Sequence, residues 1–544
     1  MTWTLQAYIL REMTRSFVMT ALVLIAILSM GGGVFNMIQV EELSADQLLK
    51  LMLLIVPVAA ALTLPVAAMF SAAATYGRLA TDNEFVACRA SGVNVQMLLV
   101  PALLLSVITG SITFICINTI IPRMVGSLDE IVGWDLRTLV SQRLRRSGGD
   151  IPGRKGYRMY WDDAPPLAAD VKDSFVLLGV TFMEMDDDSV VRIGTAEKVW
   201  VRLKEQDGRA RVAGQMEGVT HYVPRDGQFF ESATMLMPPV EFEVAVPAKL
   251  KFLTLTDLLQ LRGDPGDWVD VRSEVDRLRI AVARAKTRER VLRHARELGA
   301  FQLGDSSESL RVETTAAAFI DKDGGVTWQQ PEDHPIVVIE KRDGAERRIT
   351  APRLVLEIGR ESTLEELGVT LQLFDGVVVG DFASPEATIR VPEWSPPPLP
   401  LPRAVMDEVA ALDGPALLAW AATTAAETDA DPLVVRQKTR AEQEWSATLR
   451  KITGVIHQRF AFAFSVPVLV TLAAVLGVVL RDSQMITAFG ISFVPSLLVL
   501  IAIITGKQLV EKAGTELLGL AVLWSGLTLV TIIDMVFVTR VLKR

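Results

Sequence analysis

Residues 62–96 read LTLPVAAMFSAAATYGRLATDNEFVACRASGVNVQ, and the organisation of the chain follows from them. An apolar segment ends at Tyr76. A short polar patch follows, with Arg78, Thr81, Asp82, Asn83, Glu84 and Arg89, and closes on Gly92 before a second apolar segment opens near Met97. Two membrane helices joined by so short a loop lie antiparallel. The loop is too apolar for plain coil: Leu79, Phe85, Val86 and Ala90 fit one face of a short helix, with the charges mostly on another. A small amphipathic helix between two spans suits the docking of a soluble partner.

Outward from this stretch, apolar residues crowd both ends of the chain. Half of the 544 residues are hydrophobic, and mean hydropathy is +0.33. Charge-free runs near the two termini reach membrane-crossing length, about 20 residues. The first runs from Phe17 to Val40 behind Arg11 and Arg15; it is long for a signal-peptide core and lacks a cleavage site, so it reads as an uncleaved span. After the polar turn Glu41–Asp46 come Leu51–Tyr76, which Pro57 and Pro65 should kink, and Met97–Ile121. The C-terminal part adds Phe460–Leu480, Ile486–Thr505 and Leu517–Thr539. The expected fold is an α-helical membrane protein with six spans, three plus three, around a large inserted β domain.

Basic residues of the short loops set the orientation. Arg11, Arg15, Arg78, Arg89, Arg481, Arg540, Lys543 and Arg544 fall on one side, against Lys50, Lys507 and Lys512 on the other. Both termini are therefore expected in the cytoplasm and the middle of the chain on the far side, in a bacterium the periplasm. The net charge of −9 argues against a nucleic-acid partner. Cys88 and Cys116 both lie in the N-terminal membrane part, so the middle has no disulfide framework.

The middle alternates with period 2 over Ser174–Met185, Val190–Leu203, Arg211–Tyr222, Pro335–Lys341, Glu346–Ile358 and Val369–Val379. Turns are expected at Asp207-Gly208, Asp226-Gly227, Asp323-Gly324 and Asp343-Gly344. Ala196–Val201, then Met216–Val219, then Val246-Pro247 are echoed by Ala351–Leu356, Phe374–Val377 and Val391-Pro392. The echo fits two related β modules, or two unrelated sheets sharing turn chemistry. Val271, Val275, Leu278, Val282 and Ala285 form the apolar stripe of a helix whose other face is rich in Arg, a solvated face or a patch for anionic headgroups. The proline run Trp394–Pro402 reads as a stiff spacer leading into a helical return. The expected division is 1–122 (three spans), 123–253 (β module), 254–305 (helical insertion), 306–393 (second β module), 394–458 (spacer and return) and 459–544 (three spans).

No catalytic residues emerge. Gly148–Lys155 has phosphate-loop glycine spacing but carries Arg154 where Lys belongs and Lys155 where Ser or Thr should follow. His221, His294, His334 and His457 are scattered, without metal-ligand spacing. One acid, Asp534, sits inside an apolar run and is a candidate functional group. Its place a turn or two from Arg540 favours an interfacial position.

The order Leu64-Pro65, Gly77-Arg78-Leu79, Asp82-Asn83-Glu84 and Arg89-Ala90-Ser91-Gly92 resembles the second-span end and coupling helix of the LptF/LptG (YjgP/YjgQ) permeases of the lipopolysaccharide export ABC transporter. Tyr8–Glu12 and His457–Ala461 are also similar to that family's pattern. The resemblance implies a non-enzymatic half of a heterodimeric permease without a cofactor, whose ATP hydrolysis resides in a separate cytoplasmic ATPase dimer. It implies that the pair extracts lipopolysaccharide or a related lipid and passes it through periplasmic jellyroll domains to bridge proteins. Arg78, Leu79, Asp82, Glu84, Arg89 and Gly92 would then form the ATPase-docking site, with Glu84 foremost; a polar loop obeying the charge rule is the plainer reading. The family often places basic residues at the outer end of the first span, where this chain has Asn36, Gln39, Glu41 and Glu42, leaving Lys50 as the candidate headgroup contact. The competing class is a membrane-anchored periplasmic scaffold without transport activity.

Overall fold

A computed structural model describes residues 2–39, 45–126, 149–150, 157–163, 165, 174–186, 189–206, 209–224, 228–243, 249–304, 308–321, 324–342, 345–359, 364, 367–381, 384–425, 431–480 and 485–543. Of the turns expected from sequence, Asp207-Gly208, Asp226-Gly227, Asp323 and Asp343-Gly344 lie outside these residues, as do Glu41–Ser44, Val246-Pro247 of the echo, and Gly148 and Ile151–Lys155 of the glycine-spaced run. The chain forms two compact units, residues 1–259 with 451–544, and residues 260–450.

Among the described residues, six helices are long and apolar enough to cross a membrane: Trp3–Gly31, Ile55–Thr81, Met97–Val125, Pro432–Val479, Phe489–Glu511 and Glu516–Arg540. They lie within α1 (Thr2–Gln39), α2 (Ala45–Thr81), α4 (Val95–Ile115) with its continuation, and three C-terminal helices named below. The first helix starts well before the charge-free run, because Ile9 and Met13 are buried against α2 and carry helix through the polar N-terminal turns. Pro57 and Pro65 both lie inside α2. After α4 the chain winds as a π-helix over Cys116–Ile120 and regains α form as α5 (Ile121–Gly126), so the third long helix carries a wider turn near its end.

The first unit also holds a six-stranded sheet: β1 (Gly149–Asp150), β2 (Tyr157–Tyr160), β3 (Ser174–Asp186), β4 (Ser189–Gln206), β5 (Arg209–Val223) and β6 (Gln228–Glu243). The strands pair antiparallel in chain order. This is a meander, without the Greek-key crossovers of a jellyroll. Met159, Leu177, Val180, Phe182, Ala196, Val199, Met216 and Val219 form its buried cluster. The three alternating segments expected here are β3, β4 and β5. The strand β6 gave no clean period-2 signal, because it carries Pro238 and Pro239 and breaks register with β5 between Val212 and Gly214.

The second unit packs a ten-stranded sheet against helices. Its strands are β7 (Ala300–Gly304), β8 (Glu308–Glu313), β9 (Ala318–Ile320), β10 (Val326–Gln329), β11 (Ile336–Arg342), β12 (Ala345–Ala351), β13 (Arg353–Ile358), β14 (Gly368–Asp381), β15 (Ser384–Trp394) and β16 (Leu399–Pro400). The order is β7-β8-β11-β12-β14-β13-β10-β9, with β15 and β16 also on β14. The alternation of Glu346–Ile358 is thus two strands rather than one. Pro352, which has no N–H for a ladder, separates them, and β12 and β13 pair with different halves of β14. In both halves of the sequence echo the quoted segments are ladder neighbours: Ala196 faces Val219, and Arg353 faces Phe374. The strand orders of the two sheets nevertheless differ.

After α6 (Leu255–Gly263), the Arg-rich helix is α7 (Val269–Leu298). Its predicted stripe, Val271, Val275, Leu278, Val282 and Ala285, is buried in one cluster with Phe301, Trp328, Ile336, Leu354 and Leu373 of the sheet. The opposite face is largely paired with acids: Arg277 with Glu274, Arg279 with Asp276, Arg293 with Glu289 and Lys286 with Glu408. Arg288 bonds Asp431 at 2.8 Å with both side chains mostly buried. The proline run is not a free spacer. Leu399 pairs with Val369, and Leu399 and Leu401 are buried in the same core. The following α8 (Arg403–Ala410), α9 (Gly414–Ala425) and the start of α10 (Pro432–Val479) contribute Val405, Val409, Leu417, Ala421 and Val434 to it. Burying these apolar side chains, each of about 1.5–3 kcal/mol, holds what sequence divided into insertion, module and spacer as one unit.

Candidate functional site

The site expected from sequence is the junction of α2, α3 (Glu84–Ala90) and α4. The second long helix does not stop at Tyr76. It runs through Gly77-Arg78-Leu79 to Thr81, and the chain then reverses at Asn83, whose φ is +55°. Short polar residues tolerate this left-handed conformation. Backbone N–H groups of Ala87 and Ser91 bond the carbonyls of Asn83 and Ala87, and Gly92 ends α3 with φ +76°, where a side chain would be strained.

This break corrects the expected single amphipathic face. Leu79, near the end of α2, is 4% exposed and Phe85, in α3, is 8% exposed; both join the cluster of Ile9, Met13, Tyr76 and Leu98. Val86 is 49% exposed, and Ala90 is exposed as well. Leu79 and Val86 cannot share a helical face, because the turn at Asn83 interrupts the 3.6-residue period between them. The outer surface of the junction therefore presents Asp82, Asn83, Val86, Ala90 and Ser91, with Glu84 half-buried. Among the described residues no hydrogen bond or ion pair engages the Glu84 carboxylate. Arg89 lies in α3; its side chain is outside the described residues.

The first helix fixes the junction from beneath. Arg78 Nη1 donates to Glu12 Oε1 at 3.0 Å, with both side chains about a third exposed. Ser71 Oγ donates to the Met13 carbonyl at 2.6 Å, and Gln6 Nε2 to the Met97 carbonyl at 3.3 Å. The buried Tyr76 hydroxyl donates to the Leu98 carbonyl. Arg78 is thus engaged within the chain rather than projecting freely. Glu12 ends the N-terminal pattern Tyr8–Glu12; nothing local marks it as the partner of a residue 66 positions away.

Burial, and after it the charge of Glu84, pushes the Cys88 thiol above its ordinary range. A raised thiol holds less thiolate at a given pH, and the thiolate is the nucleophile. Alkylation of Cys88 by iodoacetamide, followed in a Cys116→Ser background, should therefore need higher pH than in the unfolded chain. Glu84→Gln should move the profile back down. Profiles that coincide for the folded and unfolded chains would contradict this arrangement.

The other two predicted residues are remote from the junction in sequence. Lys50 lies in the early turns of α2, its side chain outside the described residues. Asp534 lies in the last helix, α12 (Glu516–Lys543); α11 (Met485–Glu511) precedes it. Asp534 is 9% exposed and its Oδ1 has no hydrogen-bond partner among the described residues, so it does not reach outward as its proximity to Arg540 suggested. Among the described residues no group of His, Cys, Asp or Glu is placed to hold a metal.

Comparison with known families gives a match. The model of the family described as lipopolysaccharide export system permease LptF/LptG matches residues 7–209, from the N-terminal helix through the junction to the first residue of β5. Over this stretch the chain is similar to the LptF/LptG permeases. No curated protein matches the chain. The LptF/LptG match contains α2, α3 and α4 with every residue of the expected docking site, and it ends before the second unit and the C-terminal helices. The family is one of transporter permeases rather than enzymes.

Proposed function

We propose that this chain is one half of an ABC-type permease that extracts lipopolysaccharide or a related lipid from the inner membrane and hands it to a periplasmic bridge. The observation that carries the reading is the LptF/LptG match over residues 7–209, which includes the junction of α2, α3 and α4. Its apolar residues Leu79 and Phe85 anchor it from within, while Asp82, Val86 and Ala90 face outward. In this reading three spans precede and three follow the periplasmic part, and both termini are cytoplasmic, as the bias of Lys and Arg in the short loops supports. Asp82, Glu84 and Arg89 make the contacts to a cytoplasmic ATPase dimer, Arg78 holds the junction to α1, and Gly92 turns the chain into α4. Lys50 meets the lipid headgroup, and Asp534 is the functional acid of the sixth span. A sister permease completes the heterodimer. Open strand edges of the antiparallel sheets suit pairing with bridge proteins.

A pull-down of the tagged chain from mild detergent tests this. Recovery of a sister six-span permease and a soluble ATPase is expected. Recovery of periplasmic partners alone would favour a membrane-anchored scaffold instead.

A further inference from the structure

Arg459 is the least expected side chain in the first unit. It lies in α10, is 4% exposed, and no acid pairs with it among the described residues. Its donors reach two other elements. Nη1 donates to Asn118 Oδ1 at 3.2 Å; Nη2 donates to the carbonyls of Lys251 and Leu253 at 3.0 and 2.8 Å. A buried guanidinium is costly unless its donors are satisfied, and its flat fork can serve acceptors in several directions at once.

Each acceptor belongs to a place where regular backbone fails. Asn118 is itself buried and sits in the π-helical turn Cys116–Ile120, where its Nδ2 donates back to the Phe114 carbonyl at 2.9 Å. Lys251 and Leu253 belong to a short 3₁₀ turn and its end, Leu250–Leu253, in the stretch that follows β6. Such ends leave carbonyls without a partner inside the turn. Arg459 supplies those partners, and the ring of Phe460 lies 5.2 Å from that of Phe114. The fourth long helix therefore holds both the bend of the third and the connector after the sheet through one side chain.

We propose that Arg459 is a positioning residue that couples the connector 249–253 to the π-helical turn of the third long helix, so that the two loosen or tighten together. The coupling is internal to this chain and stands apart from which lipid or ATPase it serves.

Amide hydrogen exchange on the full-length chain in detergent micelles tests it, with wild type, Asn118→Ala, Arg459→Lys and the double variant. The reporters are the amides of Phe252 and Leu253, which bond the carbonyls of Lys249 and Leu250. Lysine keeps the charge but offers one ammonium where the fork served three acceptors, so Arg459→Lys should speed exchange at these amides by about tenfold. Asn118→Ala removes a side chain whose hydrogen bonds, among the described residues, reach Phe114 and Arg459 rather than the connector, and should speed it by about threefold. The double variant should match Arg459→Lys alone, because the path through Arg459 is already cut. Unchanged exchange at Phe252 and Leu253 in Asn118→Ala would overturn the coupling, as would strictly additive effects in the double variant. Asn118→Ala removes only a side-chain amide, so the outcome stands even should Arg459→Lys fold poorly.

Discussion

Glu84→Arg is expected to leave the chain inserted and to lower recovery of the ATPase by at least about tenfold, equivalent to ~1.4 kcal/mol. The carboxylate is half-buried at the start of α3, with no internal hydrogen bond or ion pair among the described residues, so its loss breaks no such bond within the fold. Reversal places a cation where an acceptor stood and opposes the positive end of α3. In the docking reading it also sets like against like with the basic partner surface that an acid at this position selects, and charge reversal at a contact is more disruptive than truncation. Glu84→Ala should accordingly give a milder version: the complex forms, but ATP hydrolysis is no longer matched by lipid movement. The measurement is the ATPase recovered per tagged chain, with lipid release assayed on whatever complex forms. Undiminished recovery and release for both variants would remove Glu84 from the docking surface.

Gly519→Val should be the most damaging single substitution in the C-terminal hairpin. A Cβ at Gly519 would lie 2.4 Å from the Val510 backbone nitrogen and 2.8 Å from the Gly506 carbonyl oxygen. Gly506 in turn would meet the Leu523 backbone at 2.5 Å. Here α11 and α12 touch backbone to backbone, the close packing that small residues permit between helices in lipid, where no hydrophobic force drives helices together. Neither contact can be relieved by a rotamer change, so the helices must separate along their length. Overpacking of this kind costs about 3 kcal/mol, read as a clear fall in Tm of the purified chain in detergent. Gly490→Val serves as the control, because Gly490 has nothing within 4 Å of its Cβ position. Equal Tm values for the two variants would show that the hairpin is held by something other than this contact.

How much of this was legible beforehand depended on whether the signal was local. Long charge-free runs identify the six membrane-length helices because crossing lipid demands an unbroken apolar segment, and that demand is written in consecutive residues. Period-2 alternation marked β3, β4, β5, β11 and β14 for the same reason, and the stripe from Val271 to Ala285 fixed the buried face of α7. Where a turn or pairing partner decided the outcome, the local signal was insufficient. Glu346–Ile358 alternates throughout yet is split at Pro352 between two ladders. The stiff-looking Trp394–Pro402 run packs Leu399 and Leu401 into the core because β14 offers an unpaired edge there. Leu79 and Val86 share an apparent helical face only until Asn83 reverses the chain.

The sequence by itself therefore determined the membrane-length helices, the β character of the middle, the position of the docking candidate and, with the residue order from Leu64 to Gly92, the likeness to the LptF/LptG permeases. Those properties reside in composition, period and short-range order. Only the tertiary structure decided which face of the junction is free, that Glu12 holds Arg78, that Asp534 is enclosed, and that Arg459 reaches Asn118 across 341 positions of sequence. Contacts between residues so far apart are set by how whole elements pack, and no local pattern in either partner encodes the other.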